Sequence, residues 1–367
     1  MRFPEFGGEW EQHSLSDYLR FKNGLNPDAK RFGKGIKFIS VMDILNNASI
    51  SYDCVRASVA ATEQEISDFE VEYGDVLFQR SSETLEDIGR SNIYVDSRHC
   101  VFGGFVIRGK KIGEYEPYFM KYRLDSPYAR KSIIVKGAGA QHFNIGQDGL
   151  SKVELFFPKY EEQVKIGDLL RIIDDRINTQ SKIIEEQETL LKSLADSLIS
   201  SQVTTMAIND CVVARSSAMK ESELENSGPF PVFGASGLCG YSNEALEESD
   251  SILVTKDGSG VGTCQYATGA HSFLGTLCSL TAKKGVYLPY VYYALLNFNF
   301  ASFKTGLAIP HIYFKDYGKA VIYCPSYDEQ VRIASGLEKL EAKINTDKEL
   351  LKQYQLQKEY LLSRMFI

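Results

Sequence analysis

From Ile166 onward, apolar residues recur at alternating steps of four and three: Ile166, Leu170, Ile173, Ile177, Gln180, Ile184, Gln187, Leu191, Leu194 and Leu198. This is the a/d spacing of a coiled-coil seam, and it predicts one long helix. The same steps lead from Ile333 through Leu337, Leu340, Ile344, Asp347, Leu351, Tyr354, Lys358 and Leu361 to Met365. Gln180 and Asp347 put a polar residue at the matching layer of each run, a feature that costs stability and sets register. The only helix breakers are Gly167 and Gly336 in the first turns. Each helix can therefore run about 35 to 40 residues, roughly 50 to 60 Å. Two amphipathic helices of an ordinary bundle would show the same spacing.

The two helices belong to a larger repeat. Pro158-Lys-Tyr-Glu-Glu-Gln-Val-Lys-Ile166 recurs as Pro325-Ser-Tyr-Asp-Glu-Gln-Val-Arg-Ile333, an offset of 167, and Arg176-Ile-Asn-Thr179 recurs as Lys343-Ile-Asn-Thr346 at the same offset. Upstream, Gly137 to His142 faces Gly306 to His311, Pro117-Tyr118 faces Pro289-Tyr290, and Asp75 to Arg80 faces Ser251 to Lys256. A period this long describes two homologous halves, each a globular portion followed by a helix.

In the globular portions the pattern changes to short β-branched and aromatic runs bounded by Gly, Asp or Pro: Lys37–Val41, Asp75–Phe78, Cys100–Arg108, Val153–Phe157, Ser251–Val254, Phe273–Ala282 and Lys319–Cys324. These predict strands. Pro117–Asp125 and Pro289–Phe300 read as Tyr-rich helices opened by Pro. The class expected is α+β, with mostly antiparallel sheet. The short connection Ser200–Asn209 makes antiparallel pairing of the long helices the expected arrangement, with a globular portion at each end of a rod.

The 367 residues give room for two domains, and the net charge of -7 argues against a chain that coats nucleic acid indiscriminately. The charge is unevenly spread. Between Arg108 and Lys136 eight bases stand against three acids, and between Ser251 and Pro325 six against two. The acids concentrate in Ser51–Cys100 and Ser201–Asp250. Two basic stripes at corresponding places are the footprint expected of two duplex-binding surfaces. The seven cysteines form no C-x-x-C pair and read as reduced thiols of a cytoplasmic protein. No signal peptide or membrane-spanning run is expected.

Catalytic tools are missing. The chain has no G-x-x-x-x-G-K-[ST] loop, no H-E-x-x-H, no G-x-S-x-G and no Pro-Pro dipeptide of an amino-methyltransferase signature. No metal site is expected. What the repeat does supply is a strand leading into a polar loop: Gln79, Arg80, Ser81 and Ser82 with Arg90 in one half, and Lys256, Asp257 and Ser259 in the other. Such side chains read base edges, although surface turns use them too. A second loop in each half, carrying Lys136, Gln141 and His142 or Lys304, His311 and Lys315, suits phosphate or base contact.

With these residues in hand, the whole chain resembles the specificity (S) subunits of type I restriction-modification systems. The resemblance rests on the order globular portion, helix, globular portion, helix; on the doubled segments Pro158–Ile166 and Pro325–Ile333; on the glycine-rich block Ile252–Gly262; and on Pro229–Gly237, similar to a common opening of a target recognition domain. In the first half Gln79–Gly89 stands in place of the glycine-rich block, a departure expected of domains that read different sequences.

The resemblance implies target recognition domains over 1–158 and 204–325, with spacer helices over 159–203 and 326–367. It implies an internal two-fold pseudo-repeat in which the two domains are separated by two long antiparallel coiled-coil helices. Each domain would read one half of a bipartite site on double-stranded DNA, and the helix pair would set the gap and dock two modification (methyltransferase) subunits. Restriction (translocase and nuclease) subunits would join them. This non-catalytic chain would hold no cofactor; S-adenosylmethionine, ATP and Mg would belong to the partner subunits. The competing reading is a coiled-coil adaptor with two peptide- or protein-binding domains.

Overall fold

A computed structural model describes residues 2–139, 142–201, 203–306 and 309–366. The predicted helices are present as single uninterrupted elements, Tyr160–Ser200 and Tyr327–Met365. Their opening residues favour helix: Glu161 and Glu162, and Asp328 and Glu329, place negative charge in the first turn, where exposed backbone N–H groups need it. Contacts divide the chain into two compact units, one running through Gln180 and resuming at Leu350, the other Ser181–Glu349. Both long helices therefore contribute a stretch to each unit.

Within the first unit, a four-stranded antiparallel sheet has the order Leu19–Asn23, Val106–Lys111, Val76–Gln79, Ser91–Ile93. The second unit repeats it with Val212–Ser216, Leu277–Ala282, Ser251–Thr255 and Cys264–Ala267. A two-stranded antiparallel pair accompanies each sheet, Glu11–Ser14 with Glu154–Phe157 and Thr205–Ala207 with Val321–Tyr323. Each unit also holds a small sheet with one parallel pairing, Phe32–Ile39 beside Cys100–Phe102 in the first and Phe230–Gly234 beside Ser272–Phe273 in the second. The duplication seen in the sequence is thus a duplication of topology, and the class is α+β.

The helix seam is continuous with the core of the first unit. Ile166, Leu170 and Ile173 from one helix and Leu361, Met365 and Phe366 from the other are buried in one cluster with Phe119, Tyr122 and Phe157. The pairing there is antiparallel, since Asp174 meets Lys358 while Arg176 lies against Tyr354. Ile177, Leu340 and Leu351 are half-buried; Gln180, Ile184, Leu191, Ile333, Leu337 and Ile344 are buried. Asp347 is held in the second unit by Gln187 Nε2 and Lys343 Nζ, both at 2.9 Å.

The heptad register fails toward the end of the first helix. Leu194 is 39% exposed and Leu198 also faces outward, while Ala195 and Ile199 are buried in their place. A straight helix of 3.6 residues per turn drifts about 20° per heptad against a 3.5-residue seam, and accumulated over the more than four heptads from Ile166 to Leu198 that drift approaches the roughly 100° that carries the buried stripe one residue on.

The repeated segments before each helix have one structural job. Gln163 accepts a hydrogen bond from the Glu116 backbone N–H at 3.1 Å and donates to the Pro158 carbonyl at 2.9 Å. Gln330 makes the same two contacts, with the Tyr287 N–H at 2.9 Å and the Pro325 carbonyl at 2.8 Å. Each glutamine ties the start of a long helix to the start of the Tyr-rich helix beside it, Pro117–Asp125 or Leu288–Leu296.

All seven cysteines are free thiols, with Cys100, Cys211, Cys278 and Cys324 buried and Cys239 exposed. No helix among the described residues is long and apolar enough to cross a membrane.

Candidate nucleic-acid interface

In each unit the two sequence-predicted loops come together. The strand Val76–Gln79 leads to Ser81 and Ser82, which pair with Asn144 and Phe143, and the Ile145 N–H donates to the Arg80 carbonyl at 3.0 Å. In the second unit Asp257 is bridged to His311, and the Ile312 N–H donates to the Lys256 carbonyl at 2.9 Å. The far segment is itself closed by matching bridges, Ala138 to Asn144 and Thr305 to His311.

These hydrogen bonds align the halves residue by residue. Arg80 corresponds to Lys256: their N–H groups donate to Phe105 and Thr276, each at 2.9 Å. Gly89 corresponds to Gly262, whose N–H groups donate to Gln79 and Thr255 at 3.0 and 2.9 Å. Both glycines have positive φ, 64° and 91°. The first-half loop Gln79–Gly89 is therefore the same turn as the glycine-rich block, three residues longer.

The second loops align differently from the expectation that set His142 against His311. Both closing bridges and the positive-φ Gly139 and Gly306 follow the offset of 167. A Cβ at Gly139 would strike the His142 carbonyl oxygen at 2.1 Å, and one at Gly306 the Ile309 carbonyl oxygen at 2.4 Å. His142 thus stands where Ile309 stands, and the counterpart of His311 is Asn144. Matching two histidines by identity had shifted the alignment by two residues.

Of the sequence-predicted side chains, Arg90, Lys136, His142, Ser259, Lys304 and Lys315 are exposed, and Arg80, Ser81, Ser82, Lys256, Asp257 and His311 are half-buried. Gln141 lies outside the described residues. Gln79 is only 6% exposed and donates to the Ser81 carbonyl at 2.9 Å, so it shapes the loop from within rather than facing a ligand. It closes a central strand that is buried at every position, with Val76 and Phe78 in one core and Leu77 in another, so neither face of the strand is open.

Half of the basic stripe expected over Arg108–Lys136 is interior, and Lys110 and Lys111 are half-buried. Arg108, Lys121, Arg123 and Arg130 are buried, leaving Lys131 and Lys136 exposed. Buried guanidinium groups must find acceptors, and these find backbone carbonyls. Arg123 donates to Phe156 at 3.0 Å. Arg130 donates to the carbonyls of Glu86, Ile88 and Gly89 at 2.9, 2.6 and 2.9 Å. Burial lowers the pKa of both to about 10. Arg130 consequently holds the longer turn in shape. In the second unit Lys283, Lys284, Lys304, Lys315 and Lys319 are exposed, as a basic surface requires.

Two residues of this candidate interface were not among the sequence-predicted ones. Phe105, 71% exposed, accepts the Arg80 N–H on its carbonyl and lines an apolar hollow with Phe32, Met42 and Gly104. Asn144 is the other; the halves' correspondence would have found it had the offset of 167 been carried upstream. Glu70, Glu72 and His99 are close enough together to share an ion, yet Lys110 Nζ already lies 3.8 and 3.2 Å from the two carboxylates.

Comparison with known proteins agrees with this architecture. A solved type I restriction-modification S subunit from M. genitalium is similar over 100% of this chain and 99% of its own, with 17% identity and a TM-score of 0.67. A structure described under complex assembly and conformational transition of the type I R-M system covers 98% of this chain and 97% of its own, with 13% identity and a TM-score of 0.56. In sequence, the specificity subunit of the type I restriction enzyme EcoprrI from Escherichia coli is 22% identical over 122 residues, 33% of this chain and 30% of that protein. The family model described as "Type I restriction modification DNA specificity domain" matches residues 7–188 and 201–354. The chain, with its duplicated sheets and paired loops, belongs to the type I restriction-modification DNA specificity family.

Proposed function

We propose that each unit reads one half of a bipartite site on double-stranded DNA, as the non-catalytic recognition subunit of a modification and restriction complex. The observation that carries this reading is the repeated meeting of two polar loops, built on the same backbone hydrogen bonds in both units but furnished with different side chains. A shared frame with divergent chemistry suits one kind of ligand read at two different sequences. Exposed cations beside the loops, Lys136 in one unit and Lys304 and Lys315 in the other, are suited to phosphates, which position a reader without specifying sequence.

The long helices would set the gap between half-sites and dock two modification subunits. In support, the first helix carries exposed Ile183, Leu190 and Leu194 on one face, apart from its buried seam. S-adenosylmethionine, ATP and Mg would be held by the modification and restriction subunits, and the complex would work in the cytoplasm. The test is single-molecule sequencing of methylated DNA from cells expressing this chain with its modification subunits. A bipartite methylated motif that disappears when this chain is deleted supports the reading. Methylation that persists without it, or no duplex binding by the assembled complex, favours the adaptor reading instead.

A further inference from the structure

Resting on that reading, we infer that one cross-loop side-chain pair in each unit, Ser81 with Asn144 and Asp257 with His311, is its specificity-determining element. The backbone alignment makes the pairs equivalent: Ser81 and Asp257 follow Arg80 and Lys256, while Asn144 and His311 close the facing segment. In both, the side chains touch. Ser81 Oγ donates to Asn144 Oδ1 at 2.5 Å, and His311 Nδ1 lies 2.5 Å from Asp257 Oδ1. Loop closure does not depend on these contacts, because the backbone already joins the segments through Ile145 to Arg80, Ile312 to Lys256 and Gly258 to Pro310.

Solvent reaches both pairs. Asn144 is exposed, Ser81 half-buried, and the His311 and Asp257 side chains are 35% and 33% exposed. Each pair is therefore a preorganised polar group on a rigid frame. The two differ in what they offer a base edge. With its oxygen taken by Ser81 and one amide N–H donated to the His142 carbonyl at 3.4 Å, Asn144 has one amide N–H left as a donor. Since a carboxylate only accepts, the Nδ1 facing Asp257 is a donating nitrogen of His311, and what this pair offers as acceptors are the carboxylate oxygens of Asp257. An amide donor in one unit and carboxylate oxygens in the other select different edges: acceptor-rich purine edges for the first, and the exocyclic amino group of cytosine or adenine for the second.

The test uses the full chain assembled with its modification subunits and selects duplexes from a library randomised across both half-sites. The exchange Ser81→Asp with Asn144→His copies the second unit's pair into the first. It should change base preference at one or two positions of a single half-site, on the order of tenfold or more, with the other half-site unchanged. Ser81→Ala, which removes one hydroxyl, should relax preference at those same positions and stands in if the double exchange does not fold. Half-sites identical to those of the unaltered chain would overturn the pair alone. If the unaltered complex selects no bipartite sequence, the underlying reading falls and the pair falls with it.

Discussion

Lys358 Nζ lies 2.6 Å from Asp174 Oδ1, joining the two long helices inside the first unit. The same carboxylate accepts from Tyr122 Oη at 2.8 Å and lies 3.3 Å from Lys121 Nζ, so the Tyr-rich helix is bound to both. A lysine at a seam position looks like a defect in the sequence; here the half-buried ammonium is the partner of a buried carboxylate. Burial acts most strongly on Asp174 and pushes its pKa up. The ammonium groups of Lys121 and Lys358, with the hydrogen bonds from Lys358 and Tyr122, outweigh it and hold the carboxyl below 3.8.

A depressed carboxyl stabilises the folded state fully above its ordinary pKa, and that contribution is lost as pH falls through the folded value. Asp174→Asn should cost on the order of 3 kcal/mol or more near neutral pH, because it leaves two lysines beside a neutral amide. Denaturant unfolding at pH 7 and again below the ordinary 3.8 checks this. The gap between variant and parent should shrink in acid; an equal gap at both pH values would mean that the charge is not what matters.

Gln163 and Gln330 should be interchangeable in effect. Replacing either with Ala strands a backbone N–H and a carbonyl, at about 1 to 3 kcal/mol. Hydrogen exchange should show the loss near Glu116 and Pro158 for one variant and near Tyr287 and Pro325 for the other.

Arg130→Met keeps the buried stem and removes all three bonds to the turn at Glu86–Gly89. Amide exchange at residues 86–90 should accelerate, and discrimination at one half-site should weaken while the other is untouched. Unchanged exchange there would show that the turn holds itself.

The duplication, the two helices and the polar loops were all legible in the sequence, because each rests on local periodicity or on repetition. What was not legible depends on tertiary direction. Arg108, Lys121, Arg123 and Arg130 count as surface charge in any segment sum, yet each points inward to carbonyls or to Asp174. Gln79 is buried because Val76–Gln79 is a central strand covered on both faces, which is known only once it is seen between Ser91–Ile93 and Val106–Lys111. Leu194 lost its place to Ala195 through helix drift too small to read from spacing alone. Asn144 was hidden by a more conspicuous histidine two residues before it.

Adding four residues after Gln180 would lengthen the first helix by about 6 Å. With base pairs stacked roughly 3.4 Å apart, the gap in the recognised site should grow by about two base pairs while both half-sites keep their sequence. The gap is read from methylated-DNA sequencing; a changed half-site would show that the helix does more than space.

The central claim, that each unit reads its own half-site, is tested most directly by exchanging residues 1–158 for the corresponding domain of another family member and sequencing the methylated DNA. The account predicts that one half of the bipartite motif changes and the other half and the gap are retained. A motif altered in both halves, or in neither, would contradict it.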